Sequence, residues 1–575
     1  GGGSITWSGI VGPTYFTTDA GTGISSSKTY THALDFNAGA SVANINGVAF
    51  AAAGTTGATW TLNAGGTAGN ANTGMIPASG GMHTLLEDFY YGANPGQLAL
   101  TGLTPGETYE LRFYNRRWGG DRTQAITYTA GTATASLNFN EDASDAPSYI
   151  GYRYVADATG TVTARFAINN SSNASYHFYG LTNEVVPASA LPTLTVSDGN
   201  FSGSISGMGR LIKQSAGQLL LSGASTYTGG TDIQAGSLRV GNPAALGTGD
   251  VSIASGANLL LWWNSVSPVL ANNITLNGPG SVSNKSAIYA DGGGGGYGEY
   301  ELSGLITLNA TSDVGGNNAN SLRLSGQITG PGGLTKGGYR PENDDRNTVI
   351  LAGSTSNDYA GETTLVRGTL TLAKTGGPVA VPGNVTLGTG VSGGDLWLRM
   401  AGPNQFGGQA SVVTFDNGGN NAKFQLNGYD QTVGGLVSVG NLSIVQNAEA
   451  ESTGIAPVTL TIDVADAQTY SFGRYLRDRA GGDAGSLSIV KTGLGTQVFS
   501  GANISYTGTT TIQQGTLATG ASNSLPDGTA VTVLAGGTLD IGTYTDTIGS
   551  LAGEAGAGVL LGSGAVLRTG NNNAS

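Results

Sequence analysis

One phrase, Tyr-x-Gly-x-Thr-x-(Ile/Leu)-x-x-Gly-x-Leu, is written three times along the chain with every spacing kept. Tyr227, Gly229, Thr231, Ile233, Gly236 and Leu238 form the first copy, in "STYTGGTDIQAGSLRV". Tyr359, Gly361, Thr363, Leu365, Gly368 and Leu370 form the second, in "DYAGETTLVRGTLTL", and Tyr506, Gly508, Thr510, Ile512, Gly515 and Leu517 the third, in "SYTGTTTIQQGTL". Catalysis seldom needs the same residues in triplicate. Stacked units need the same turn and the same inward residue in each one.

The spacing of neighbouring turns says which kind of stack. The turn at Gly236 is followed by the next at Gly256, and the turn at Gly515 by the next at Gly537. A period of roughly 20 residues is one coil of a parallel β-helix, in which each coil adds a strand to each of two or three sheets. From about residue 190 onward this predicts a right-handed β-helix of about 18 coils, roughly 85 Å long at about 4.8 Å per coil. The aliphatic residues of the phrase are expected inward. Gly236, Gly368 and Gly515 are expected at turns where a positive φ is needed. Thr231, Thr363 and Thr510 suit outward positions on a sheet. The tyrosines are expected to bury their rings and keep their hydroxyls wet.

The stretch 1–187 lacks the phrase. Runs such as "TYELRFYN", "AITYTA", "YIGYRYVA", "GTVTARFAI" and "SYHFYGLTNEVV" alternate in period 2 between turn signals, the pattern of an antiparallel β-sandwich of jelly-roll type. One short stretch, "GMHTLLEDFYYG", is helix-like. "VVPASALPTLTVSDG", with two prolines among small residues, reads as a linker. The division is therefore a head of residues 1–187 and a shaft of residues 188–575. The repeat units span about 203–261, 325–400 and 485–570.

Glycine, 98 of 575 residues, has no Gly-X-Y period and stands beside only 17 prolines, so it punctuates turns and does not build collagen. Charged residues are 11% and hydrophobic ones 39%, a balance that folds. With a net charge of −13 and no basic stripe, the chain lacks the footprint of a nucleic-acid binder. No apolar run reaches about 18 residues, so no transmembrane helix and no membrane insertion are expected. The start lacks a signal sequence, as in a protein whose leader has been removed. The end, "GAVLRTGNNNAS", has no cap, as in a segment of a longer protein. With 0 Cys there is no disulfide framework, and poverty in charge with richness in Gly, Ser, Thr and Asn favours export.

The stretches "GMGRLIKQSAGQLLLSGASTYTGGTDIQAGSLRV", "GPGGLTKGGYRPENDDRNTVILAGSTSNDYAGETTLVRGTLTL" and "GSLSIVKTGLGTQVFSGANISYTGTTTIQQGTL" resemble the passenger-associated repeats of bacterial autotransporters. Lys213, Lys336 and Lys491 match the lysine of that pattern, and Leu221, Leu351 and Phe499 the residue two before Gly223, Gly353 and Gly501. The resemblance implies an exported β-helical stalk whose repeats aid secretion and folding. The chain departs from the pattern in the extra "YRPENDDRN" of the second copy and in having no membrane barrel after the third. The head, through "INGVAF", "LTGLTPGETYELRFYNRRWGGDR" and "ADATGTVTARF", is similar to sandwich domains of large exported proteins of Verrucomicrobia and Planctomycetes.

Candidate sites are few. Arg116, Arg117, Trp118, Asp121 and Arg122 share one loop, where an aromatic face and planar donors would hold a sugar; alternatively Trp118 is core and the arginines are its ion-paired rim. Asp142 and Asp145 have a spacing that a calcium loop could use, against the plainer reading of an exposed turn. Calcium is the one cofactor this admits. Enzymatic β-helices need paired carboxylates, for which the shaft offers Glu342, Asp344, Asp345 with Arg346, and Asp478 with Asp483; acidic loops are usually solvated surface. Of adjacent Trp262 and Trp263, one must face outward unless something covers it. His32, His83 and His177 show no ligand spacing.

These features predict a non-enzymatic, exported structural protein of a bacterial surface that assembles with its own copies into a fibre or sheath. A carbohydrate-binding adhesin contacting surface glycans is the first alternative, and a β-helical polysaccharide lyase or hydrolase the second.

Overall fold

The computed structural model describes residues 3–39, 41–70, 79–169, 175–263, 269–280, 285–292, 298–317, 320–337, 347–390, 394–450, 452–479 and 485–570. From Thr193 onward the chain winds into a parallel β-helix. Its strands are three to eight residues long in most coils, too short to stand alone, and each pairs in parallel with its counterpart one coil before and one after. A spine sheet of 16 strands, one per coil, runs from Gly199–Phe201 to Ser550–Gly553. Three further sheets take up the other faces in succession. A proximal sheet of seven strands runs from Thr193–Val196 to Ile328–Thr329, a middle sheet of nine from Val269–Leu270 to Tyr475–Arg479, and a distal sheet of five from Thr469–Phe472 to Gly558–Leu560.

Sixteen spine strands at ~4.8 Å per step make a shaft of about 72 Å. It is shorter than the roughly 18 coils expected because the coils are unequal. The step from Leu211 to its partner Thr231 is a short coil, whereas those from Ile274 to Ile306 and from Val385 to Val413 are lengthened by loops. The surplus leaves the rungs as loops, and the rungs keep their register.

The interior is one cluster from Ile205 to Ile548. One of its rows reads Leu219, Leu238, Leu259, Ile288, Val314, Lys336, Leu365, Leu387 and Phe415, rung by rung. Leu238, Leu370 and Leu517 are all fully buried, as are Ile233, Leu365 and Ile512. Full burial of such side chains stabilises by about 1.5–3 kcal/mol each.

The head packs two sheets face to face. One has five antiparallel strands centred on Thr123–Ala130 and Val162–Ile168. The other has six strands centred on Thr108–Asn115 and Gly180–Val185, antiparallel except where Leu34–Phe36 meets Ala51–Ala53. Leu98, Ile126, Ala164 and Phe166 from the first sheet and Leu111, Phe113, Ile150 and Leu181 from the second share one core. "GMHTLLEDFYYG" splits into a one-turn helix, Gly81–Leu85, and a strand, Asp88–Tyr91.

Two connections tie head to shaft. One is the predicted linker, where Ala188–Ala190 forms a 3-10 turn before the first shaft strand. The other lies at the opposite end of the head: Ile5–Thr6 pairs in parallel with Ile205–Ser206, and Trp7 packs edge-on against Tyr227, 6.0 Å between ring centres. Residues 5–7, counted with the head by sequence, thus cover the first coils of the shaft core.

Candidate functional site

The repeated phrase forms the same object in all three copies. Gly236, Gly368 and Gly515 take φ of 67°, 67° and 64°, the left-handed corner expected of them. Gly229, Gly361 and Gly508 do a different job: a Cβ on any of them would strike backbone of the preceding coil. Here the chain passes too close to its neighbour for a side chain.

Two expectations are corrected. Thr231, Thr363 and Thr510 point inward and are buried. Residues two apart on a strand share a face, so threonines two before the inward Ile233, Leu365 and Ile512 must be inward too. The tyrosine hydroxyls are not wet either. Tyr227, Tyr359 and Tyr506 are buried, and their Oη atoms lie 2.5, 2.6 and 2.6 Å from the Oγ1 of the threonine four residues on. Burial pushes all three phenols up from their ordinary pKa, so they stay neutral hydrogen-bonding groups.

The three lysines of the pattern are fully buried as well. Lys491 Nζ donates to the carbonyls of Thr492, Gly493 and Gln514 at 2.6, 2.8 and 3.2 Å. Lys213 Nζ likewise donates to Ser215 Oγ and the Ala235 carbonyl and stands 3.4 Å from Asp198. An ammonium held by carbonyls loses its water without gaining a full counter-charge. Desolvation accordingly lowers Lys491 to about 8, and it does the same to buried Lys374. The phrase with its lysine is therefore a corner clamp that satisfies backbone at a coil turn.

The head loop resolves differently. Arg116 is buried, donating from Nε to the Leu86 carbonyl at 2.9 Å and stacking under Trp118 with its Cζ 4.9 Å from the ring centre. Trp118 is half-buried against Phe89 and His177. Asp142 is buried and accepts from the Trp118 and Gly119 amides at 2.9 and 2.6 Å, so it shapes this loop. Asp145 is exposed and pairs with Arg117; Asp121 accepts from Thr123 Oγ1 at 2.7 Å. Asp142 and Asp145 are thus engaged with different partners and do not converge, and no group of three or more His, Cys, Asp or Glu with metal-ligand geometry occurs among the described residues. The arrangement missed by sequence is the buried pair of His177 Nδ1 and Glu141 Oε1, 3.0 Å apart, with Arg122 Nε 3.4 Å from the same oxygen. These residues are scattered along the head, and no motif joins them.

Glu342, Asp344, Asp345, Arg346 and Asp483 lie outside the described residues. Asp478 faces into the shaft, accepting from the Leu487 and Thr507 amides and from Thr507 Oγ1 at 2.6 Å, which is a structural staple between coils. Trp263 is the inward member of its pair, packed on Tyr300, and Trp262 is half-buried with Arg239 over its ring. Two clefts of about 670 and 860 Å³ lie between head and shaft, both lined by Val155, Thr228 and Thr248.

Comparison with known proteins matches the passenger-associated-transport-repeat model at residues 211–240 and 489–518, the first and third copies. The second copy, with its extra residues, has the same tyrosine–threonine bond and the same left-handed glycine. The adhesin BmaC autotransporter of Brucella suis biovar 1 (strain 1330) is 25% identical over 466 residues, covering 65% of this chain. The chain spans 13% of that relative's length. The extracellular domain of ANXUR1 from Arabidopsis thaliana aligns with 28% of this chain and 49% of its own at 13% identity and a TM-score of 0.23. The catalytic unit of a GH87 alpha-1,3-glucanase from Streptomyces thermodiastaticus strain HF3-3 aligns with 88% and 96% at 11% identity and 0.19. Neither structural likeness reaches the level of a shared fold. The chain carries the repeats of an autotransporter passenger, as read from its sequence. No helix among the described residues is long and apolar enough to cross a membrane.

Proposed function

We propose that this chain is a non-enzymatic, surface-displayed passenger segment with an adhesive role, in which a rigid β-helical shaft holds the sandwich head away from its point of attachment. The observation that carries this reading is the unbroken 16-strand spine with corner clamps near both of its ends. Such a fold is built coil on coil, so it extends as it is exported, and its length is its output. The similarity to an adhesin autotransporter supports the adhesive part. Within the head, Arg117, Trp118 and Asp121 are partly or fully exposed and are the loop's candidate sugar contacts. Glycan-array binding by the purified chain that is abolished by Trp118→Ala would establish the head as the contact; undiminished binding would remove it.

Assembly into a fibre or sheath is a second reading, favoured by the last coils. Leu560 and Leu561 are each 54% exposed, with Leu551, Val559 and Val566 beside them, a surface that a further coil of this or another chain would cover. Electron microscopy separates the readings: single rods about 72 Å long support display alone, and end-to-end filaments support assembly. Globules without a long axis would overturn both.

A further inference from the structure

Between Leu396 and Arg479 the middle sheet carries two outward-facing rows, in which Trp397, Arg399, Lys423, Tyr475 and Arg477 are part-exposed and Gln425, Ile444 and Gln446 are covered. One reads Trp397, Lys423, Ile444, Tyr475; the other reads Arg399, Gln425, Gln446, Arg477. Arg479 follows on the same face, opposite Ala448. These outward positions hold four cations and no carboxylate, in a chain of net charge −13. Glu449, just past its strand, pairs with Lys423 at 2.8 Å. Arg399, Arg477 and Arg479 form no ion pair among the described residues; Arg477 donates instead to the neutral Gln446 Oε1, at 2.9 Å from Nη2. Nearer the head, by contrast, Arg210, Arg239 and Arg323 each have a carboxylate partner. Burial also holds Arg477 below the usual arginine pKa. Among the described residues this face carries more positive than negative charge, with Glu449 acting on both Lys423 and Arg477.

Hydrogen-bonding capacity is left over too. Arg399 Nε and Arg479 Nε are donors without a partner, and Gln425 Oε1 is an acceptor without one, whereas the Gln446 amide stands beside the Glu449 carboxylate. Gln425 is 4% exposed, so its unmade bond costs the protein about 1–3 kcal/mol. Spare donors and positive charge ask for an anion. A spare acceptor beside them asks for a hydroxyl, which the backbone of polyphosphate or DNA does not offer along its length. Rows one rung apart repeat at about 4.8 Å, so Arg399 and Arg477 stand about 14 Å apart along the shaft. The half-buried rings of Trp397 and Tyr475 flank that line. Arg399 Cζ and Lys423 Nζ lie 5.7 and 5.6 Å from the Trp397 ring centre, and Arg477 Cζ lies 5.3 Å from that of Tyr475.

We propose that this face of the shaft binds an acidic polysaccharide, one bearing uronate carboxylates and free hydroxyls, laid along the rungs from Arg399 to Arg479. Carboxylates pair with the arginines, and a hydroxyl completes the Gln425 amide. The site is on the shaft, apart from the head loop, and does not depend on the head being adhesive.

The test is a binding titration of the whole chain with polygalacturonate, alongside dextran as a neutral polysaccharide, polyphosphate and single-stranded DNA. Saturable binding to polygalacturonate and none to dextran are expected, with polyphosphate and DNA weaker at equal ionic strength. The double variant Arg399→Gln/Arg477→Gln should weaken polygalacturonate binding about tenfold or more. Arg323→Gln, which removes a carboxylate-paired arginine of the same sheet, should leave it unchanged. An unaltered melting temperature in both variants shows that the shaft is intact. No binding to polygalacturonate, equal loss with Arg323→Gln, or equal affinity for polyphosphate would each overturn the proposal. So would concentration-dependent self-association that the double variant abolishes, since the arginines would then serve a second copy of this chain.

Discussion

Head and shaft bury polar groups in opposite ways. In the head, Glu110 binds Arg112 at 2.6 Å and Arg153 through a second oxygen on one sheet, while Glu184 of the same sheet binds Lys28, in the turn before Tyr30–Phe36, at 2.8 Å. In the shaft, buried polar groups are mostly neutral and answer to backbone. Gln405 Nε2 donates to the Lys374 and Pro403 carbonyls, Gln431 Nε2 to Gly402, and Gln497 bonds both the amide and the carbonyl of Leu436. A sandwich is closed by unique side-chain matches, and a charge network specifies one match. A β-helix repeats its backbone, so it needs groups that cap whichever turn comes next. Specificity in one region comes from ion pairs, and in the other from corners.

The largest expected difference is in how damage spreads. Leu370→Ala, in the row Val349, Leu370, Leu398, Phe424, should cost about 2–5 kcal/mol. Because each coil touches only its neighbours, hydrogen exchange should rise in the adjacent coils and leave the head protected. Uniform loss of protection in head and shaft would show that the two regions fold as one unit.

A smaller effect tests the clamp. Thr363→Val strands the Tyr359 hydroxyl and should cost about 1–3 kcal/mol, whereas Tyr359→Phe combined with Thr363→Val should cost clearly less than the sum of the single changes. Additive costs in denaturant melts would mean that the bond is not a unit.

The regions should also answer pH in opposite directions. Burial pushes Asp35, in the head, up to about 7. Its folded form therefore holds a proton that the unfolded chain has released, and head stability should rise as pH falls from about 7 toward about 4. Lys491, lowered to about 8, sheds its proton in the folded shaft before the unfolded chain does, so shaft stability should rise from pH 8 toward 10.5. Each group contributes at most about 1.4 kcal/mol per pH unit. Asp35→Asn and Lys491→Met should flatten the respective profiles, measured by melting temperature against pH. The smallest effect is at the exposed Arg117–Asp145 pair, where Asp145→Ala should cost no more than about 1 kcal/mol and should lose even that in high salt.

The shaft was legible because its signal repeats: spacing alone located the corners at Gly236, Gly368 and Gly515 and the buried Leu238, Leu370 and Leu517. The inward threonines were legible too, since period 2 ties Thr231 to Ile233, but β-propensity pointed the other way and facing decided. The head's strands were readable from alternation, while the His177 and Glu141 pair was not, because it is made by segments that meet only in the sandwich. The arginine face was equally silent, with Arg399 and Arg477 separated by two intervening rungs.

By itself the sequence determined the corner: tyrosine clamped to threonine, glycine at positive φ, leucine into the core. Such contacts are local, confined to the phrase and its immediate neighbours. Which sheet each corner joins was decided only by the tertiary structure. The first copy runs from the proximal sheet into the spine, the second from the spine into the middle sheet, and the third from the spine into the distal sheet. Leu238 and Leu365, from different positions of the phrase, consequently lie in one spine row. The reason is that unequal coils shift where each strand lands on the one beneath. That sum over the whole stack is carried by backbone pairing, and no short phrase encodes it.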